Sequence, residues 1–336
     1  MHPGLSTTVP ETLRRIVSST NALLDNLDQA WTVQRLAEVA GFSEFYFSRL
    51  FREFFGEAPA EHIRRVRLER AGFMLLAWPD ASTLDIAIAC GFSSGAVFSR
   101  AFNAHFGMSP RFWRRERPWN PCGSFYCWRP SQACEHCVRP AGSWHSHLTH
   151  TGKINLHPLN LPRPAGIGLI EIVDRPSAQI AYLRSTGPAE EIAMSAWQQL
   201  IDHLGNTGGF HADLQCVGIM IDDPCICSPK QTRYDVGYFC RPEAPIDPNL
   251  HYRELPGGLF ATARIQCRWF EIAEISRYMW FSWLAYNNEW RPRAWSDYGV
   301  VSARDYENPF VLLRPDTVLT WQIYLPIVRR SKIFAS

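Results

Sequence analysis

Two arginines occupy equivalent places in two related stretches of the chain. Arg49 closes Gly41-Phe42-Ser43-Glu44-Phe45-Tyr46-Phe47-Ser48-Arg49, and Arg100 closes Gly91-Phe92-Ser93-Ser94-Gly95-Ala96-Val97-Phe98-Ser99-Arg100. A guanidinium is a planar fork of donors that fits the O6 and N7 acceptors of guanine, a pairing worth about 1–3 kcal/mol of discrimination. Beside them stand Phe45, Ser48 and Arg52 in the first stretch and Gly95, Ala96 and Ser99 in the second. An isolated arginine more often neutralises phosphate or caps a neighbouring helix, but recurrence at one position in two copies favours base reading. A second group with chemical capacity is Cys122, Cys127, Cys134 and Cys137, spaced C-x4-C-x6-C-x2-C among His136, His145, His147 and His150. Reduced thiols in that number suit a tetrahedral zinc site better than disulfides. Only Cys134/Cys137 has familiar zinc spacing, and incidental thiols in an irregular insertion are the competing reading.

The elements that must position these side chains follow from the repeat. The copies are offset by 50 residues at the Gly-Phe turn and by 51 from Phe47/Phe98 onward, so the second turn carries one extra residue. Thr32 caps a helix over Val33 to Val39, with Leu36 and Ala37 inward, Gly41 supplies a positive-φ turn, and Ser43 caps the next helix. From Glu44 to Phe55, Phe47, Leu50, Phe51 and Phe54 recur at helical spacing and face the core. In the second copy Ser82 or Thr83 opens a helix filled by Leu84, Ile86, Ala87 and Ile88. Gly91 then turns, Ser93 caps, and Gly95, Ala96, Ser99 and Arg100 lie outward. Both copies run into Phe-Gly and then Pro: Phe55-Gly56 with Pro59, and Phe106-Gly107 with Pro110. Between them, Ala60 to Leu76 has no proline and only Gly72, which predicts one continuous helix. Its Arg64, Arg65, Arg67 and Arg70 would hold the two units apart.

Over about residues 10–117 these motifs (GFS, the SRxF core, FG and SP in register) resemble the AraC family of bacterial transcription regulators. The resemblance implies two helix-turn-helix units joined by a long helix and docked on double-stranded promoter DNA, with RNA polymerase as a further partner. It also implies base-reading positions at Phe45, Ser48 and Arg49 in the first recognition helix and at Gly95, Ala96, Ser99 and Arg100 in the second. Gly95 and Ala96 fall where the family often has polar residues, so the second head is expected to read shape and backbone more than base edges.

The C-terminal half is a different object. Strand-like runs at Ile167 to Val173, Gln179 to Leu183, Cys216 to Ile221, Tyr234 to Phe239, Phe260 to Gln266, Tyr298 to Ala303 and Leu319 to Leu325 alternate with helices at Ala189 to Leu204 and Glu271 to Tyr286. The order strand, helix, strand, strand occurs twice, which predicts two βαββ halves about a pseudo-dyad with a cleft between their sheets. The motifs AYLRSTGP, GIMIDDP, RYDVGY, LPGG and IYLPI make this half resemble the GyrI-like effector-binding domain. That resemblance implies a cleft for a small, often aromatic or cationic molecule. Its lining is assigned to Tyr182, Trp197, Tyr238, Trp280, Trp283, Tyr306 and Tyr324, although Trp197 and Trp280, on helices facing the sheets, are better candidates for core. Where the family has a glutamate two residues before a tyrosine, this chain has Arg304 before Tyr306, with Asp305 and Glu307 beside it. Arg304 turned inward would clamp an anion; Asp305 or Glu307 turned inward would preserve a preference for cations.

The expected class is therefore an α + β multidomain protein. An all-α tandem helix-turn-helix domain spans residues 8–117, a Pro/Cys/His-rich linker 118–165, and an α+β domain of two βαββ halves 166–330. The expected function is a sequence-specific DNA-binding regulator that responds to an effector in the aromatic cleft. Metal or redox sensing through the linker is the alternative, and no cofactor is required unless the linker holds zinc. Hydrolysis of strained electrophiles, known among GyrI-like proteins, is set aside because His203, His211 and His251 have no evident catalytic partner. The net charge of +2 announces no nucleic acid; residues 1–118 hold 14 arginines against 12 acids and no lysine, so placement carries the argument, and the salt dependence of binding should be shallow. Asp25, Asp28, Glu38 and Asp80 are assigned to the side away from DNA. The N-terminal residues lack the apolar run of a signal peptide, and no 18-residue apolar stretch occurs, so a cytoplasmic protein with no membrane partner is expected.

Overall fold

Seven helices precede the first strand of a computed structural model that describes residues 10–78, 81–116, 162–211, 213–222, 226–227, 229–241, 245–268, 271–284, 287–293, 298–302 and 317–330. They are α1 (Glu11–Asp25), α2 (Val33–Ala40), α3 (Glu44–Phe55), α4 (Pro59–Ala77), α5 (Thr83–Ala89), α6 (Gly95–Phe106) and α7 (Pro110–Glu116). The two turns are built alike: Phe42 N donates to Ala37 O and Phe92 N to Ala87 O, each at 2.9 Å, around left-handed Gly41 and Gly91. Thr32 Oγ1 accepts from Arg35 N and Ser43 Oγ from Tyr46 N, as the cap pattern predicts. The second recognition helix differs, because Ser94 rather than Ser93 accepts from Val97 N. The extra residue of the second turn moves the cap one place along.

One face of α3 packs inward through Phe47, Leu50 and Phe51, joining Ile16, Leu23 and Leu36 in the first unit's core. Phe54, assigned inward from its spacing, is 37 % exposed instead. The second unit closes on Ile86, Phe92, Phe98, Phe102, Phe106 and Trp113. Leu84 and Ile88, also assigned inward, are 54 % and 52 % exposed, so α5 is anchored by buried Ile86 and Ala87, with Ala89 partly buried beside them. In α4, Ile63 and Val66 enter the first core while Ala71, Phe73 and Leu75 enter the second. Its arginines are not a row of spacers: Arg64 is exposed, Arg67 donates to Gln29 O, and Arg65 is buried.

Beyond residue 166 come β1 (Ile167–Arg175), β2 (Ala178–Thr186), α8 (Ala189–Thr207), β3 (Gln215–Met220), β4 (Arg233–Phe239), β5 (His251–Leu255), β6 (Gly258–Cys267), α9 (Ile272–Tyr278), β7 (Trp290–Pro292), β8 (Tyr298–Ser302) and β9 (Leu319–Arg329). A π-helical segment, Met279–Leu284, continues α9. The halves are there, with β2-α8-β3-β4 answered by β6-α9-β8-β9. They do not form two facing sheets: they merge edge to edge into one antiparallel sheet ordered β1-β6-β9-β8-β3-β4-β2-β5, with β7 added to β9. The seam is β3 against β8, where Gly218 faces Gly299. A side chain on Gly218 would run into the Tyr234 hydroxyl and the Trp197 ring.

The helical part packs on the sheet-bearing part. Val17 of α1 joins Ile180, Tyr182, Val217, Ile219, Leu255 and Phe260 on the sheet face opposite α8. Asn21 Nδ2 donates to Tyr182 Oη at 2.8 Å and Asn21 Oδ1 accepts from Arg184 Nη2 at 3.1 Å. Farther along, Phe73 of α4 meets Trp280 edge-on with centroids 6.1 Å apart, and Trp78 Nε1 donates to Pro292 O at 2.8 Å. An aromatic pair of this geometry contributes about 0.5–1.5 kcal/mol beyond its buried area.

Candidate functional site

The outer face of α3 is held by a relay of rings and cations that starts on another helix. Arg15 of α1 donates to Gly41 O at 2.6 Å and lies 4.1 Å above the Phe42 ring. Phe42 meets Tyr46 edge-on at 5.3 Å, and the Arg49 guanidinium rests 5.3 Å over Tyr46. Arg49 is thereby aimed from a fixed aromatic seat rather than waving from a bare helix. Arg15 and Tyr46 escaped the sequence reading; the i, i+3 spacing of Tyr46 and Arg49 was the available signal.

Phe45 stands 84 % exposed at the start of α3, and Arg49 and Arg52 are exposed while Ser48 is half-buried. On α6, Ala96 and Arg100 are exposed and Gly95 and Ser99 half-buried. Among the described residues none of Arg49, Arg52 and Arg100 has an acidic partner. Each recognition helix ends in a left-handed glycine, Gly56 at φ 68° and Gly107 at φ 73°. The 19-residue α4 that separates the units is about 28 Å long by its rise per residue, close to the ~34 Å between successive major grooves.

One family model matches within the helical part and another within the sheet-bearing part. Residues 36–116 match a helix-turn-helix domain and residues 170–327 a GyrI-like small molecule binding domain. The transposon Tn10 TetD protein of Escherichia coli is 35 % identical over 94 residues, which are 28 % of this chain and 67 % of that protein. The chain belongs to the AraC-type helix-turn-helix family. Transcriptional regulator Rob of Salmonella typhimurium is 33 % identical over 98 residues, covering 29 % of this chain and 34 % of Rob. The chain spans about a third of the length of several curated relatives it matches. A transcriptional regulator from Chromobacterium violaceum, solved as a crystal structure and described as AraC-type, aligns with 29 % identity over 30 % of this chain and 90 % of its own, at a TM-score of 0.29.

In this AraC-type chain the aromatic residues assigned to one cleft divide between the two sides of the sheet. Trp197, fully buried, donates from Nε1 to Tyr234 Oη at 2.9 Å and meets Trp321 edge-on, so it is core beneath α8. Trp280, Trp283 and Tyr238 belong to that same core. Tyr182 and Tyr324 lie in the opposite cluster, Tyr182 without exposure and Tyr324 half-buried beneath Arg175, 4.4 Å away. Strand alternation separates Tyr182 from Tyr238, which pairs with the neighbouring Ala181, while Trp197, Trp280 and Trp283 come from helical segments on one face. Arg304 and Tyr306 lie outside the described residues, as do Cys122, Cys127, Cys134 and Cys137.

Where the helical and sheet-bearing parts meet, charged groups concentrate. Arg65 donates to both oxygens of Glu57 and, at 2.8 Å, to Glu69; Arg233 grips Asp222 through two nitrogens; Arg184 does the same to Asp235. Gln231 Nε2 of the sheet-bearing part reaches Glu57 Oε2 of the helical part at 3.2 Å. Burial pushes the Glu57 carboxyl up, but hydrogen bonds from His62 and Arg65 and the Arg65 charge more than offset this and hold it at about 2. Burial also holds His62 at about 4, against the pull of Glu57. Glu69, Asp222 and Cys227 approach each other closely enough to suggest a cation site. Their carboxylates are engaged by Arg65 and Arg233, and burial keeps the Cys227 thiol well above its ordinary pKa, so the cluster is an ion-pair network. His203, read as partnerless, contacts Asp247 at 2.8 Å.

Proposed function

We propose that this chain is a one-component transcription regulator that reads double-stranded promoter DNA with α3 and α6 and answers to a small molecule held by its GyrI-like half. The observation that carries the reading is the pairing of Arg49 and Arg100, exposed and without acidic partners among the described residues, at matching positions of two recognition helices. One helix in each of two successive major grooves satisfies both heads from a single protomer, so the regulator needs no second copy to span its site. Arg49, with Phe45 and Ser48 beside it, reads base edges, while Gly95 and Ala96 let the second head approach backbone and methyl groups closely. Once on a promoter, the regulator acts on RNA polymerase.

Its sensor is supported by the match of residues 170–327 to a small molecule binding domain and by the buried contact between α1, α4 and the sheet. A ligand that alters this contact has a short route to both heads. By linkage, an effector that tightens DNA binding must itself bind more tightly when DNA is present. Selection from a random duplex pool tests the reading. Enrichment of two sequence blocks about one helical turn apart is the expected outcome; a pool that remains random after repeated rounds would contradict it.

A further inference from the structure

Between the two halves lies a cavity of about 280 Å³ that neither could enclose by itself. From the helical half come an apolar patch, Leu13 and Val17 of α1 with Phe54 and Phe55 from the last turn of α3, and a polar one, Glu57, His62 and Arg65. Its sensor side is cationic, with Arg184 of β2, Arg233 of β4 and Lys230 in the short 3-10 turn Pro229–Gln231. The exposure of Phe54 that spacing failed to predict has its explanation here: the ring faces this space rather than the reader's own core. The volume sits at the small end of the roughly 300–1,000 Å³ usual for ligand pockets.

Charge selects the kind of occupant. Four cationic side chains line the cavity, Arg65, Arg184, Lys230 and Arg233, but Arg65 is paired with Glu57 and Glu69, Arg184 with Asp235 and Arg233 with Asp222, so Lys230 is the lining cation left without an acidic partner among the described residues. Both oxygens of Glu57 are already taken by His62, Arg65 and Gln231. Lys230 has no acidic partner among the described residues, and Arg184 Nη1 and Arg233 Nη1 are buried with no hydrogen-bond partner among them. Two histidines in the lining stay neutral. Burial and then the Arg184 charge hold His251 at about 4, and burial holds His62 at the same value. A carboxylate would find the Lys230 ammonium on one side and the apolar surface of Leu13, Val17, Phe54 and Phe55 on the other.

We propose that this cavity binds a small organic carboxylate with an apolar body, held by Lys230, and that its occupancy is felt by DNA through the last turn of α3. Phe54 and Phe55 belong to the same helix as Phe45, Ser48, Arg49 and Arg52, so a molecule wedged against them bears on the first reading head. The binding claim stands apart from the regulator reading; only its consequence for DNA rests on it.

The test uses the full chain and three probes of one shape: phenylacetate, its neutral amide phenylacetamide, and the cation phenethylamine. Phenylacetate at millimolar concentration should raise the melting temperature, the amide less and the amine not at all. Lys230→Glu should weaken phenylacetate binding roughly tenfold by calorimetry, and Lys230→Gln by less; the ligand-free melting temperature of each variant reports its fold. Phenylacetate should also change the operator Kd by about fivefold or more. No stabilisation by phenylacetate, stronger binding of the amine, or unchanged binding in both Lys230 variants overturns the site. Lys230-dependent binding with an unmoved operator Kd upholds the site and overturns its report through α3. A shift of operator affinity by phenethylamine without phenylacetate binding overturns the carboxylate site while leaving the regulator reading intact.

Discussion

Arg49 and Arg100 look alike in sequence but are seated differently. Arg49 rests over Tyr46 in a relay that runs back through Phe42 to Arg15, whereas the position three before Arg100 on α6 is Val97, which offers no ring. Arg49→Ala should therefore cost about 1–3 kcal/mol on a matched duplex and relax base preference at one position. Arg100→Ala should act in the same direction at the other half-site. Competition anisotropy against random duplex checks both, since an equal loss on matched and random DNA would mark the arginines as phosphate contacts only. Titration gives a second handle. His62 and His251 fall from 6.5 to about 4 in the folded chain, so the unfolded chain binds more protons between those values. Their stabilising effect is complete above pH 6.5 and is lost as pH falls toward 4, at up to about 3 kcal/mol for each. Glu57, depressed to about 2, adds a further loss as pH falls below 4.5. Glu69, raised by burial, works in the opposite sense near neutrality. Comparing denaturant midpoints of His62→Gln with the parent across pH 4 to 6.5 isolates the histidine: the variant should show the shallower slope.

At the scale of elements the caps offer a clean contrast. Ser94→Ala removes the hydroxyl that accepts from Val97 N and should cost about 1 kcal/mol, while Ser93→Ala, one residue outside the helix, should cost almost nothing. Thermal denaturation of both variants decides it, and the reverse order would return the cap to Ser93. Much of this level was legible. Glycines at the turns, helical spacing in α3 and the strand-like runs that became β2, β4, β6 and β9 are local signals, and the structure follows them. The failures have local causes too. His251–Leu255 escaped notice as a strand because His-Tyr-Arg-Glu-Leu is mostly polar, and Trp290–Pro292 because it has three residues and a proline. Leu84 and Ile88 resemble core residues by type, yet two other side chains, Ile86 and Ala87, fill the space beneath a seven-residue helix. Phe54 was misassigned because it lines the cavity between the two halves, which helical periodicity cannot register.

The whole molecule is where sequence reading stopped short. Two families could be recognised from their motifs, and the helices and strands of each follow, but nothing local announces that Asn21 bonds Tyr182, 161 residues away. Nor could periodicity tell that Tyr182 and Trp197 occupy opposite sides of one sheet, because that depends on how two halves join along β3 and β8. The docking is open to direct test. In a double-mutant cycle, Asn21→Ala and Tyr182→Phe should show a coupling of about 1 kcal/mol in unfolding free energy. Coupling indistinguishable from zero would mean that α1 does not lie on the sheet. The regulator account as a whole depends on two heads held at one separation by α4 and engaged together. Hydroxyl-radical footprinting of the full chain on its selected duplex measures this most directly. Protection in two patches about 10 base pairs apart on one face of the DNA, with Arg49→Ala weakening one patch and Arg100→Ala the other, is what the account predicts. A single protected patch, or loss of both patches alike in either variant, would contradict it.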